Sequence, residues 1–432
     1  MSTSVGTTQE QLGHLFDAVA AADRVIAQAF AVRATAVDEA RRFSEAHAGE
    51  IPLGPHSRWD RDEIARRELS SELAATLRLP EPTALNLLAE SRALAEELPA
   101  TREALQAGLI SYRHAQTLVG QAWSIPSEGL PAFEAALLPA AQKLTVTKLK
   151  QKARILRERL HPETITNRRA RSILDRTSWV QAEPDGMATL HLTTGAELVQ
   201  SIFTRANNLA ASLQGQDKQQ GQDKQQGQDK QRTLTQLRTD VLSDLLIDGV
   251  TPTGVGQGVR ATVQVTVSVM TLLGHSEEPG YLEGYGPISP ETARDLASRA
   301  PSFTRILTHP ETGVVLSVGR DRYKVPKRMR RFLRLRDETC RFAGCNKSAH
   351  GADLDHTHDW HLLGQTAVDN LAHLCPANHA LKSETRWTVA QTPGGILTWT
   401  SPTGRDFVTE PANLLPAGPP AEEPPLPDPP PF

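Results

Sequence analysis

Through the first third of the chain, apolar side chains recur at spacings of three, four and seven residues. Leu12, Leu15, Phe16, Val19, Ile26 and Phe30 form one such stripe, which predicts a long amphipathic helix. The pattern runs out near Gly49 and Pro52, and a second helix is expected from about Arg61. Thr83, just behind Pro82, is placed to cap a third that runs to about Leu98. Pro99 opens a short helical segment that Gly108 ends, Ser111 caps the next, and helical spacing continues over about 130–160. The helix, turn and capped helix of 100–122 loosely resemble a helix-turn-helix; an ordinary bundle corner looks the same and is commoner.

The period changes near residue 178. SWVQAEPDGMATLHLTT places two alternating runs about Pro184-Asp185-Gly186, which predicts a β-hairpin. A helix is expected from Ala196 to about Leu213. Then GQDKQQ appears twice in full, at 215–220 and 221–226, with a partial third copy at 227–231. These repeats offer no apolar side chain for burial, so they read as an expanded loop. Helix resumes over about 232–248, ATVQVTVSVMTLLG reads as a buried strand, and Ser289-Pro290 starts a further helix. The segment TRWTVAQTPGGILTWTSPTGRDF reads as strands about a Pro-Gly-Gly turn with a second turn at Pro-Thr-Gly; Trp387 and Trp399 are expected to pack there. The last 22 residues hold ten prolines and read as a disordered, polyproline-like tail.

Composition narrows the functional classes. The 432 residues are 39% hydrophobic and 22% charged, enough for two or three globular domains. A net charge of −3 excludes a globally basic nucleic-acid coat. No apolar run of about 18 residues occurs and the N-terminus is polar, so no membrane association and a cytoplasmic location are expected. Charge is nevertheless uneven. Residues 320–336, RDRYKVPKRMRRFLRLR, hold nine Lys and Arg against one Asp. Lys327, Arg328, Arg330 and Arg331 are therefore candidates for phosphate contacts; the alternative is a solvated helix face.

The basic run leads into the three cysteines, Cys340, Cys345 and Cys375. An odd, clustered set is a poor disulfide framework and a better metal site. Around it, six of the chain's 14 histidines crowd into residues 350–379. Asp355-His356 lies in a strand-like Asp353–His356 segment, Asn370 follows in Asp-Asn-Leu, and His379 falls in a helical-looking Asn378–Lys382.

Residues 340–389 resemble the HNH (ββα-metal) endonuclease motif: Asp-His on a first strand, Asn in the hairpin, His on the following helix. Upstream, LPATREALQAGLIS and YLEGYGPISPETARDLA resemble the bacterial "domain of unknown function 222" family, whose members typically carry a C-terminal HNH module. The resemblance implies an α+β protein: a largely helical N-terminal region over 1–175, a mixed α/β middle over 176–318 with a low-complexity insert at 214–231, and a basic helix or linker at 319–337. A ββα-metal module over 338–408 and a proline-rich tail over 409–432 complete it. It further implies a metal-dependent endonuclease acting on DNA. In that scheme Asp355 and His379 hold a divalent ion (Mg2+, Mn2+, Ni2+ or Zn2+), His356 is the general base, and Asn370 braces the hairpin. Lys382, one turn beyond His379, would touch a backbone phosphate; an exposed helix lysine is the plainer reading. Cys340, Cys345 and Cys375 would hold a structural Zn2+.

One position departs from the pattern. Zinc-bearing relatives place Cys or His three residues after the third cysteine, where this chain has Asn378. The fourth position stays open among His350, His373 and water, with an emptied site as a further alternative. The competing functional class is a nucleic-acid-binding protein that keeps the fold without catalysis. Protein partners are left open, with a third alternative in which the helical region is a partner-binding module and the nuclease its payload.

Overall fold

The computed structural model describes residues 2–54, 57–160, 164–222, 232–249, 265–282, 285–298, 324–392 and 394–412. The chain divides into two units, one formed by Met1–Ile165 with Thr304–Phe432, the other by Thr166–Phe303.

The first unit begins with α1 (Ser2–Ala46) and continues through α2 (Arg61–Leu77), α3 (Glu81–Glu96), α4 (Pro99–Gln106), α5 (Tyr112–Ala122), α6 (Leu130–Ala141) and α7 (Val146–Leu160). Helix starts follow local chemistry. Asp60 caps α2 by accepting from the Glu63 backbone N–H. Pro82 falls in the first turn of α3, so Thr83 lies inside that helix instead of capping it. Gly108 ends the α4 segment with φ +69°, a conformation that a side chain resists. Leu94, Leu98, Leu105, Leu118, Phe133, Leu137 and Leu149 fill the core between the helices. Ala27, Ala31 and Ala34 of α1 join it, because small side chains let α1 lie close against α3 and α4. Residues 8–26 of α1 are exposed throughout, so the Leu12–Val19 part of the apolar stripe faces solvent.

The second unit begins within α8 (Thr164–Leu174). Its hairpin, β1 (Thr177–Ala182) with β2 (Ala188–Thr193), turns where predicted, with positive φ at Asp185 and Gly186. Next, α9 (Ala196–Gln222) packs against α10 (Leu234–Asp248), with Ala206, Ala210 and Leu237 buried. Helix α9 carries on through the first GQDKQQ copy, which therefore is not a loop; 223–231 lies outside the described residues. A small sheet of β3 (Val265–Thr266), β4 (Gly280–Leu282) and β5 (Gly286–Ile288) accompanies α11 (Val269–Leu272) and α12 (Pro290–Ser298). Of the strand expected at 261–274, 261–264 lies outside the described residues, and the remainder is corrected here. Ser268 caps the short α11 by accepting from the Met270 N–H, which interrupts the alternating run after Thr266.

The C-terminal part of the first unit holds α13 (Lys327–Asp337), the antiparallel pair β6 (Asp353–His356) and β7 (Leu371–Leu374), α14 (Pro376–Glu384), and a sheet of β8 (Thr388–Thr392), β9 (Ile396–Thr400) and β10 (Asp406–Thr409). Its core is aromatic. Phe342 stands edge-on to Trp387 and Trp399, at 5.1 and 5.0 Å between ring centroids. Both tryptophans are buried, so they pack the module as expected and present no face for base stacking. Helix α2 supports this part directly. Ala75 enters its core, the buried Glu68 carboxylate accepts from Arg386, and Glu384 accepts from Ser57 and Arg58. A Cβ on Gly344 would sit 2.7 Å from the Leu79 carbonyl oxygen, so only glycine allows the Cys340–Cys345 turn to approach so closely.

The proline-rich tail beyond 412 lies outside the described residues. The chain is mixed α and β, mostly helical with small sheets, consistent with the α+β class. No helix among the described residues is long and apolar enough to cross a membrane.

Candidate metal centres and basic helix

The β6–β7–α14 segment assembles the first cluster. Residues alternate faces along a strand, so Asp353 and Asp355 both point to one side of β6, where α14 lies against it. There His379 stands between two carboxylates, with Nε2 3.4 Å from Asp355 Oδ1 and Nδ1 3.4 Å from Asp353 Oδ2. Two ligands each 2.0–2.1 Å from one tetrahedral ion lie about 3.4 Å apart, so the facing Asp355 oxygen and His379 nitrogen fit a shared divalent cation. An oxygen and an imidazole nitrogen are donors that Mg2+, Mn2+, Ni2+ or Zn2+ accept between them. Asp355 is strongly ionised: burial works to raise its pKa, but His379 and Lys382 outweigh burial and the net direction is down. The hydrogen bond and charge of Asp355 raise the pKa of His379.

Lys382 sits elsewhere than an exposed helix lysine would. Its Nζ donates to Asp355 Oδ2 at 2.8 Å, Asp359 Oδ1 at 2.7 Å and the His356 carbonyl at 2.5 Å, and its side chain is 10% exposed. It clamps the far edge of Asp355 and leaves Oδ1 turned to His379.

His356 is buried, and its Nε2 lies 3.0 Å from Thr366 Oγ1, with Trp360 tilted against the ring. Burial pushes its pKa down, against the pull of the Asp355 charge, so the imidazole favours its neutral form. The structure thus brings Asp355 and His379 face to face, whereas His356, the next residue along β6, turns to the other face and its ring is held by Thr366 on the 357–370 connection. Asn370 ties that connection together: Oδ1 accepts from Thr357 Oγ1 and the His358 N–H, and Nδ2 donates to the carbonyls of His358 and Gln365. Gly364 folds so tightly under His358 that a Cβ there would overlap the His358 carbonyl.

The cysteines form the second cluster. The Sγ atoms of Cys340, Cys345 and Cys375 all lie within 4.8 Å of one another, with Cys345 and Cys375 4.0 Å apart. Sulfurs bound at 2.3 Å to a tetrahedral zinc stand about 3.8 Å apart, so the triad fits a thiophilic ion. Hydrogen bonds from Cys340 and Cys345 hold the Cys375 thiol down, while those two thiols are pushed up. Cys340 Sγ also accepts from the Cys375 N–H at 3.2 Å and from Asn378 Nδ2 at 3.3 Å. His373 turns to a different partner: its Nδ1 donates to Asp337 Oδ2 at 2.9 Å. Neither His373 nor His350 joins the sulfur cluster among the described residues.

The basic helix α13 has two faces. Met329 and Leu333 are buried with Val325 and Leu371, whereas Lys327, Arg330 and Arg331 are exposed. The Arg328 side chain lies outside the described residues. Arg336 is withdrawn from the surface set, donating to the carbonyls of Val368 and Leu371. Asp337 ends the helix and accepts from Arg336, Arg341 and the His373 backbone and ring. Burial acts to raise the Asp337 pKa, yet the His373 hydrogen bond and the Arg336 and Arg341 charges bring it to about 2.

Sequence reasoning had assigned no role to Asp337, Asp353 or Thr366. Asp337 carried a readable signal, the first acid after the basic run of 322–336; nothing in the sequence marked Thr366.

A family model described as a domain of unknown function (DUF222) matches residues 16–337. Two uncharacterised proteins of Mycobacterium tuberculosis are similar in part. MT2160 (strain CDC 1551 / Oshkosh) is 39% identical over 94 residues, covering 22% of this chain and 17% of the relative. Rv3776 (strain ATCC 25618 / H37Rv) is 38% identical over 94 residues, covering 22% of this chain and 18% of the relative. The chain thus matches under a fifth of the length of either relative. No solved structure matches it.

Proposed function

The chain belongs to the family described as domain of unknown function (DUF222), and from that premise we propose that its C-terminal part is a metal-dependent HNH-type endonuclease module that hydrolyses DNA phosphodiester bonds. The observation that carries this reading is the facing Asp355–His379 pair, 3.4 Å apart on a hairpin and helix.

Asp355 and His379 hold the divalent ion; when bound, it neutralises charge developing on the scissile phosphate and the leaving 3′ oxygen. His356 takes a proton from the attacking water, a task suited to an imidazole kept neutral by burial. Thr366 fixes the His356 ring, and Asn370 fixes the loop that carries Thr366. Lys382 orients Asp355 from behind instead of reaching for the substrate. The exposed Lys327, Arg330 and Arg331 face of α13 supplies sequence-independent phosphate contacts. Cys340, Cys345 and Cys375 hold a structural ion that ties the Cys340–Cys345 turn to the start of α14.

A second reading, a nucleic-acid-binding module without hydrolysis, is favoured by the Lys382 ammonium already neutralising Asp355 and Asp359. Incubating the full chain with supercoiled plasmid and each of Mg2+, Mn2+, Ni2+ and Zn2+ separates the two. Relaxed or linear products that depend on metal and vanish in Asp355→Ala support the nuclease. Retarded but uncut plasmid under all four ions supports the binding module.

A further inference from the structure

The sulfur cluster is one donor short, and the shortage has a definite shape. Cys340 and Cys375 are 2% exposed, while Cys345 is only partly covered, so solvent reaches the cluster from the Cys345 side. Among the described residues, no histidine or carboxylate stands with the three sulfurs. His373, the nearest candidate in sequence, is engaged by the buried Asp337. The residue in the expected ligand place, Asn378, is 2% exposed and points its Nδ2 at Cys340 Sγ. An amide N–H has no lone pair for a metal; it donates to sulfur.

Resting on the reading that the triad holds an ion, we propose that the site is an open three-sulfur centre: it takes one thiophilic divalent cation through Cys340, Cys345 and Cys375 and leaves the fourth position to an exogenous ligand. Asn378 acts on the sulfur and not on the metal. Three thiolates around a divalent ion carry a net negative charge, and the two N–H groups aimed at Cys340, from Cys375 and Asn378, offset part of it. The ligand class is a small molecule with a soft or neutral donor, such as a low-molecular-weight thiol or water. The ion is then held less firmly than in a closed site and exchanges with its surroundings.

The test uses the full-length protein loaded with Co2+, whose visible spectrum reports the donors around it, and titrated with 2-mercaptoethanol as the probe. Saturable spectral change in the native protein is expected, with no change in Asn378→Cys, where a fourth sulfur closes the site. Chelator competition is expected to place Zn2+ affinity of Asn378→Cys about tenfold or more above the native protein, and that of Asn378→Ala, which loses one N–H to Cys340, about 10–100-fold below it with the response to the thiol retained. A spectrum indifferent to the thiol in the native protein overturns the proposal, because a protein donor then completes the site. Absence of Co2+ and Zn2+ uptake by the native chain overturns it as well. DNA cleavage enters none of these readouts, so failure here is distinct from failure of the nuclease reading.

Discussion

The helical part of the first unit and its C-terminal part differ in what fills their cores. Between α1 and α7 the main core is apolar, with Leu94, Leu98, Leu105, Leu118, Leu137 and Leu149 around Phe133, while Asp38, Arg41, Glu68 and Glu134 are buried as well. From α13 onward, the interior mixes two tryptophans and a phenylalanine with a buried carboxylate, a buried guanidinium, two buried histidines and two buried cysteines. Apolar packing tolerates volume-conserving change, whereas buried ionic networks fail when one member is lost. Both parts contain such buried charges; in the C-terminal part the Asp337 network joins Arg341 to His373, and so ties the turn that carries Cys340 to the strand that leads to Cys375.

That contrast can be broken or sharpened by experiment. The largest effect is expected at the catalytic step: His356→Ala should lower plasmid cleavage by about 10²–10⁴-fold while leaving DNA retention in a gel-shift assay intact. Next come two stability losses of similar size and different consequence. Phe133→Ala should cost about 3–5 kcal/mol in denaturant unfolding without altering Zn2+ stoichiometry. Asp337→Ala should also cost about 3–5 kcal/mol, because Arg341 is left buried and unpaired, and should reduce metal uptake through the displaced β7 and Cys375. Equal metal uptake by the two variants would remove the distinction between the regions.

A smaller effect concerns pH. The Asp337 pKa in the folded protein, about 2, lies below its ordinary value of 3.8. A depressed folded-state pKa contributes stability that is complete above about pH 4 and lost as the pH falls through about 2. The shift corresponds to about 2 kcal/mol, readable as an acid-side fall in melting temperature that Asp337→Asn abolishes. The smallest effect belongs to the basic face of α13. Replacing Lys327, Arg330 or Arg331 by alanine should weaken DNA binding several-fold and reduce the salt slope by about 1 each, with no preference among DNA sequences.

Much of this architecture was legible along the chain. The helix starts near Arg61, Pro99 and Tyr112, the Pro-Asp-Gly hairpin and the strand–strand–helix order around Asp355, Asn370 and His379 stand where the pattern places them, whereas Thr83 does not cap α3 and Ser111 stands at the start of α5 without a capping side-chain bond. The misreadings have two origins: at Thr83 and Ser268 a local signal was misread, and elsewhere local pattern does not report tertiary neighbours. The GQDKQQ composition argued for a loop, but α9 carries its helix into the first copy. Leu12, Leu15, Phe16 and Val19 predicted a helix correctly and said nothing of what covers it; in the first unit they are exposed. Within the candidate site, Asp355 and His379 were identified from residue type and order. The clamp by Lys382, the seat of His356 on Thr366 and the Asp337–His373 bond depend on contacts between distant segments that no spacing rule records.

The central claim is that Asp355 and His379 grip one ion beside His356. Anomalous diffraction from crystals of the full chain grown with Mn2+ tests it most directly. The account predicts a single anomalous peak within about 2.0–2.3 Å of Asp355 Oδ1 and His379 Nε2. A map with Mn2+ bound elsewhere, or with Lys382 still bridging Asp355 and no peak between the two ligands, would contradict it.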